Sequence, residues 1–445
     1  MNSIDSVGSP GITLREQFET NALAESFRSD LVAAARKGEA FFTDTGLPVS
    51  MQRNENSLSW YDFVCGYVDM KWRPAAATYR RTIAEALTAV TPVMLKPGRE
   101  KPHDKAIRTA LCGWGFNMQR RDDPNRPHNV TETLRWIERN SQSVSYASNP
   151  DVARALLGAA ITRLDGKPAA RTVARQRRMI LVNALSYAVE RRLLVTNPVQ
   201  NLKWSAPRPT REIERRRVVN PIQARSLLFA VRSVLRSGPS LAACFAAMYF
   251  AALRPEEAVD LRKRNLRLPA PTWNAERSEW VYDWGELYLE EATPHAGSAW
   301  TDSGRARDRR QLKHCEKGEG RRVPCPPELT AILREHLNRY GTDDEGRLFR
   351  GQRGGEVPLI TWTRVWSAAR RATFTPEILS TSLARVPYDL RHAAVSTWLN
   401  GGVPATVVAE WAGHSVQVLL EVYAKCLDGQ DEIAKQQVQA ALGHR

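Results

Sequence analysis

The stretch Val386–Leu427, VPYDLRHAAVSTWLNGGVPATVVAEWAGHSVQVLLEVYAKCL, leaves the backbone few choices. Asp389 is placed to N-cap a helix in which Leu390, Ala393, Ala394, Thr397 and Trp398 recur at helical spacing on one face. Gly401-Gly402 ends that helix, Pro404 opens the next at its first position, and Gly413 closes it. A third helix follows around Val416–Lys425. This punctuation predicts three short helices, with Arg391 on the first, His414 in the turn after the second, and Tyr423 on the third.

Each of those residues has an ordinary explanation by itself: a solvated arginine, a helix C-cap, a packing tyrosine. Together they form a kit for phosphodiester chemistry. An arginine presents a planar fork of donors matched to phosphate oxygens. A histidine can donate to the same group, and a tyrosine hydroxyl can attack phosphorus and hold it covalently.

Asp389-Leu390-Arg391-His392, Gly413-His414 and Tyr423 resemble the C-terminal signature of the tyrosine-type site-specific recombinases, the phage integrase family. The upstream segment Leu241–Leu253, followed by Arg254-Pro-Glu-Glu257, resembles the family's first box. Between the boxes, Leu312–Pro324 resembles the family's lysine-bearing β-hairpin. In style the boxes are similar to actinobacterial prophage and plasmid integrases.

The resemblance implies a multi-domain fold that is mainly α, with a small β-sheet or hairpin in a mixed α+β catalytic domain and a helical core-binding domain before it. It implies Arg254 and Arg391 on the scissile phosphate, His414 donating to it, Tyr423 as nucleophile, and Lys313 as general acid with Lys317 as the alternative. One position departs from the pattern. Where the family usually has histidine, this chain has Tyr388, a site-lining candidate whose phenol, with an unperturbed pKa of about 10, is a poor base at neutral pH. No metal or other cofactor is implied. The implied partner is double-stranded DNA carrying attachment sites, bound by a tetramer on synapsed DNA, with a directionality factor as a further partner. Type IB topoisomerase-like strand breakage and rejoining, and a non-catalytic DNA-binding protein on the same fold, remain open as alternatives.

The rest of the chain is compatible with this. Its 445 residues suit two or three domains, and 64 Lys+Arg against 48 Asp+Glu leave a formal charge of +16, which favours a polyanionic partner. The six cysteines include no CxxC pair and no zinc-like spacing with histidine. The longest apolar run, Leu241–Leu253, is too short to span a bilayer, and the N-terminus does not read as a signal peptide. The expectation is a cytoplasmic, nucleoid-associated protein with no membrane partner.

The chain divides into an N-terminal extension (1–57), a helical DNA-binding domain (58–205), a basic linker (206–217) and a catalytic domain (218–445). Candidate DNA contacts are Arg171, Arg175 and Arg178 on the last helix of the helical domain, and Arg208, Arg211 and Arg216 in the linker.

Overall fold

A computed structural model of the chain describes residues 2–7, 13–18, 20–42, 46–48, 58–98, 100–163, 165–204, 215–312, 319–423 and 430–443. They form two compact units, one of residues 1–70, 84–118 and 124–204, the other of residues 71–83, 119–123 and 205–445.

The first unit begins with an antiparallel hairpin, Asn2–Val7 with Thr13–Phe18, and a helix, Asn21–Arg36. Its core is helical and lined by Trp60, Phe63, Tyr67, Leu87, Ile137 and Leu185. Helix Arg171–Glu190 shows why. Ala174, Ile180, Leu181, Ala184, Leu185 and Ala188 are buried along one stripe, while Arg171 and Arg175 face solvent. Burying each Leu or Ile side chain is worth about 1.5–3 kcal/mol. Asn197 ties the returning chain to this helix, donating to the Val182 carbonyl and contacting the Ser186 hydroxyl, both at 2.9 Å.

The second unit is built around helix Gly238–Phe250, whose sequence from Leu241 onward has no polar side chain except a half-apolar tyrosine and is buried on all sides. A helix apolar all round has to be surrounded. Phe245 packs against Trp362 and Trp366, with ring centroids 4.4 and 5.3 Å apart. Those tryptophans lie on helix Leu359–Thr373. Helices Pro221–Ser233, Pro327–Tyr340 and Tyr388–Asn400 complete the layer. The small antiparallel sheet has the order Leu266–Arg267, Gly285–Leu289, Arg321–Cys325.

The predominantly helical fold with small sheets agrees with the sequence expectation, and three local expectations are corrected. Asp389 is not the N-cap of its helix. Pro387 already has helical angles and holds that position, and Asp389 lies inside the first turn. From there its buried carboxylate accepts from the Val386 backbone N–H at 3.0 Å and from Arg217 Nη2 at 3.1 Å. Pro404 is the N-cap of helix Ala405–Ala412, not its first residue. Thr397 is exposed although Leu390, Ala393 and Ala394 are buried, because Tyr388–Asn400 is enclosed on most of its surface and has no single apolar stripe.

The lysine hairpin expected over Leu312–Pro324 falls partly outside the described residues. Among the described residues, 310–311 and 321–325 do not pair with each other. Arg310–Gln311 pairs with Glu291–Ala292, and Arg321–Cys325 pairs with Gly285–Leu289. Both therefore line up in turn along the same run, 285–292. Lys313 and Lys317 lie outside the described residues.

Candidate active site

Helix Gly238–Phe250 stops where Ala252 adopts a left-handed conformation (φ 49°), and the chain turns out of the core at Arg254. Arg254 precedes the short helix Pro255–Ala258, so Glu257 folds back on it. One carboxylate oxygen accepts from the Arg254 backbone N–H at 2.8 Å and the other from its Nη1 at 2.7 Å. Arg321, the first residue of its strand, donates Nη2 to the same carboxylate at 2.7 Å. Burial pushes the Glu257 carboxyl up, but Arg321, Arg254 and Arg391 outweigh it and hold the group down at about 2.

The glycine after helix Ala405–Ala412 joins the two boxes. Gly413 is left-handed (φ 63°), and its carbonyl accepts from Arg254 Nη2 at 2.5 Å. A Cβ at this position would collide with Arg321 Nη1. Arg391 comes from the adjacent helix and is fully buried. It donates to the carbonyls of Ala252 and Ala412, and its Nη2 lies 2.8 Å from His414 Nε2. Since an arginine can only donate, His414 Nε2 is the acceptor and its Nδ1 carries the hydrogen. Burial first, then Arg391 and Arg254, hold the His414 imidazole down at about 3, so it is neutral near pH 7.

This arrangement leaves donors in want of an acceptor. Among the described residues, Arg321 Nε and Nη1, Arg391 Nε and His414 Nδ1 are buried with no hydrogen-bond partner. Unmet buried donors cost roughly 1–3 kcal/mol each, more when charged. Around them the guanidiniums of Arg254, Arg321 and Arg391 share the Glu257 carboxylate. The site carries excess positive charge and donors suited to an oxyanion.

Tyr423, the last residue of helix Val416–Tyr423, stands beside these groups, 1% exposed. It belongs to a buried cluster that includes Ala252, Ala394, Val395, Val408 and Leu419. Its hydroxyl is 2.9 Å from His392 Nδ1, and its ring centroid lies 5.7 Å from that of His392 and 6.1 Å from that of His414. Tyr388 stands edge-on to the His392 ring at 4.9 Å and is close enough to Arg254 and Arg391 to bear on their charge.

The structure thus brings together Arg254, Arg391, His414, Tyr423 and Tyr388 from boxes far apart in the chain. It adds three residues that sequence reasoning did not single out as site groups: His392, Arg321 and Arg217. The signal for His392 was its place one turn after Tyr388 and next to Arg391. Arg321 had no signal beyond being one of many arginines. Of the proposed DNA contacts, Arg171, Arg175 and Arg216 are exposed, while Arg178 is half-buried with its guanidinium 5.1 Å from the Trp204 ring. Arg208 and Arg211 lie outside the described residues.

The chain has the fold of the tyrosine-type recombinases that its boxes resemble. It aligns with lambda integrase, solved as a dimer on a COC′ core site, over 95% of this chain and 91% of that one, with a TM-score of 0.51 and 12% identity. The Tn1549 transposon integrase, solved with transposon right-end DNA, aligns over 73% of this chain and 97% of that one, with a TM-score of 0.48 and 16% identity. Among curated proteins, a probable integrase/recombinase protein of Methanocaldococcus jannaschii is 26% identical over 117 residues. That match spans 26% of this chain and 35% of the curated relative's length. No family model matches the chain.

Proposed function

We propose that the protein is a site-specific DNA recombinase that integrates or excises a mobile element through a 3′-phosphotyrosine intermediate. The observation that carries this reading is the set of buried, partnerless donors on Arg321, Arg391 and His414 beside the Tyr423 hydroxyl. The fold shared with lambda integrase supports it.

In this reading the scissile phosphate enters among Arg254, Arg391 and His414. The two arginines clamp the nonbridging oxygens, and His414 Nδ1 donates to one of them. Their positive charge is greatest in value where negative charge develops in the transition state. Tyr423 Oη forms a bond to phosphorus while the bond from phosphorus to O5′ breaks. Lys313 delivers a proton to the departing 5′ oxygen. The phosphotyrosyl bond retains the energy of the phosphodiester, so resealing to a second 5′-hydroxyl draws on no ATP. The arginines supply the positive charge, so no metal is called on.

The remaining parts follow from this reading. The helical unit and the basic segment before residue 218 hold duplex DNA through phosphate contacts, with Arg171, Arg175, Arg178, Arg208, Arg211 and Arg216 as the candidates. A tetramer on two synapsed sites, in the cytoplasm and on the nucleoid, is the working assembly, with a directionality factor as a further partner.

The test uses a suicide duplex, nicked near the cleavage site and taken from the sequence flanking the gene. A covalent protein–DNA band formed by the wild type and lost in Tyr423→Phe is the expected result. A band that survives in Tyr423→Phe removes Tyr423 from its role. Tight DNA binding with no band from either protein points to a binding protein on this fold.

A further inference from the structure

The proposed reaction leaves one proton without a destination. Tyr423 must lose its hydroxyl hydrogen as the oxygen bonds to phosphorus, and Tyr388, the neighbour at the start of the arginine helix, is itself a phenol with a hydroxyl hydrogen of its own. Consecutive residues on a helix point about 100° apart. On helix Tyr388–Asn400 that rotation sends Arg391 toward the Ala252 and Ala412 carbonyls and His414, and sends His392 toward Tyr423. The imidazole is then held from two sides, by the edge-on Tyr388 ring at 4.9 Å and by the Tyr423 hydroxyl 2.9 Å from Nδ1.

We propose that His392 is the catalytic base of this site, receiving the Tyr423 proton at Nδ1 as Oη attacks phosphorus. The inference rests on the recombinase reading above. In the step, the Tyr423 O–H bond breaks and its proton goes to Nδ1. The Oη–phosphorus bond forms, the phosphorus–O5′ bond breaks, and O5′ takes a proton from a separate acid. In resealing, the imidazolium returns its proton to the departing phenolate.

The charges facing His392 explain how such a base stays off until substrate arrives. Arg391 on its own helix and Arg217 from the preceding segment bear on it, alongside the phenols of Tyr388 and Tyr423 and the neutral imidazole of His414. Asp389 partly offsets Arg217, to which it is bonded. Burial first, then the two arginines, hold the free imidazole down at about 3, where it is neutral and accepts a hydrogen bond but binds a proton weakly. A phosphate seated against Arg391 neutralises the stronger of those two cations. It thereby raises the basicity of His392 at the moment the proton has to move.

The test is the single-turnover rate of covalent-complex formation on the suicide duplex, followed against pH. His392→Gln keeps a polar group of similar reach but cannot take a proton. It is expected to cleave about 10²- to 10⁴-fold more slowly at neutral pH, with DNA affinity and thermal melting close to wild type. The deficit should shrink as pH rises and the phenol ionises unaided. Difluorotyrosine in place of Tyr423, whose phenol ionises more readily, should restore the His392→Gln rate more than it changes the wild-type rate. This second arm separates loss of a base from loss of packing.

A His392→Gln rate within threefold of wild type, or a slower rate with an unchanged pH profile and no difluorotyrosine rescue, overturns the base assignment. Tyr423-dependent cleavage would then still stand. Absence of any covalent product from the wild type overturns the recombinase reading, and the base assignment with it.

Discussion

The Gly413 carbonyl receives Arg254 Nη2 at 2.5 Å, so the first arginine of the site is held by the turn that presents His414. Gly413 sits at φ 63°, and the space where a side chain would begin is occupied by Arg321 Nη1. One residue thus sets the register between two guanidinium-bearing elements and the histidine.

Gly413→Ala is expected to be costly for two separate reasons. The left-handed conformation costs an alanine about 1 kcal/mol or more, and the Cβ forces Arg321 out of its place against Glu257. Urea denaturation should show the stability loss. Cleavage should fall more steeply than DNA affinity, since the displaced groups belong to the site and not to the duplex-binding surface.

Glu257→Ala removes the acceptor shared by the Arg254 backbone, Arg254 Nη1 and Arg321 Nη2. Breaking a buried ion pair on one side typically costs about 3–5 kcal/mol, because the remaining charge stays buried without a partner. Added inorganic phosphate or sulfate should recover part of the stability by occupying the vacated acceptor position. Equal melting temperatures for Glu257→Ala and wild type would remove this residue from its anchoring role.

Arg391→Lys keeps the charge and loses the fork. A lysine cannot reach the carbonyls of Ala252 and Ala412 and His414 Nε2 at once. The cleavage rate is expected to fall about 10²- to 10³-fold, the usual loss when one preorganised donor to a transition-state oxyanion is removed. Binding to an intact duplex, measured at fixed salt, should change little.

Stability should fall on mild acidification. His392 and His414 are each held at about 3 in the folded protein, below the ordinary histidine value of 6.5. Between those limits the unfolded chain binds protons that the folded chain refuses, so stability rises with pH. Their contribution is fully present above about 6.5 and is lost as pH falls from there toward 3, at up to about 1.4 kcal/mol per pH unit for each histidine. Glu257, held at about 2 against an ordinary 4.5, adds a loss in the same direction at lower pH. Denaturant midpoints from pH 7 to pH 4 should decline, and His392→Gln/His414→Gln should flatten the upper part of that decline.

Much of the site was legible because its parts are local. Gly413 followed by His414, the apolar run ending at Arg254, and the helix bearing Tyr423 are each marked by residues that control backbone conformation or burial over a few positions. Arg391 was legible for the same reason. His392 was not singled out, although it was in plain view beside Arg391, because a histidine one position along a helix points at nothing until the neighbouring helices are placed. Arg321 was hidden more deeply. Nothing in Arg321-Arg322 says which arginine turns inward, since strand alternation allows either face until Gly285–Leu289 sets the register.

By itself, then, the sequence determined the helical character of the chain, the turns that separate its short helices, and the residue types available for phosphate chemistry. These follow from backbone sterics, helical periodicity and side-chain chemistry, all of which act within a few residues. Only the tertiary structure decided which groups meet: that Glu257 serves Arg254 and Arg321 together, that Arg217 spends its charge on Asp389, and that the Tyr423 hydroxyl faces His392. Those pairings depend on helix packing and strand register between segments distant in the chain, where a rotation of one residue exchanges one partner for another.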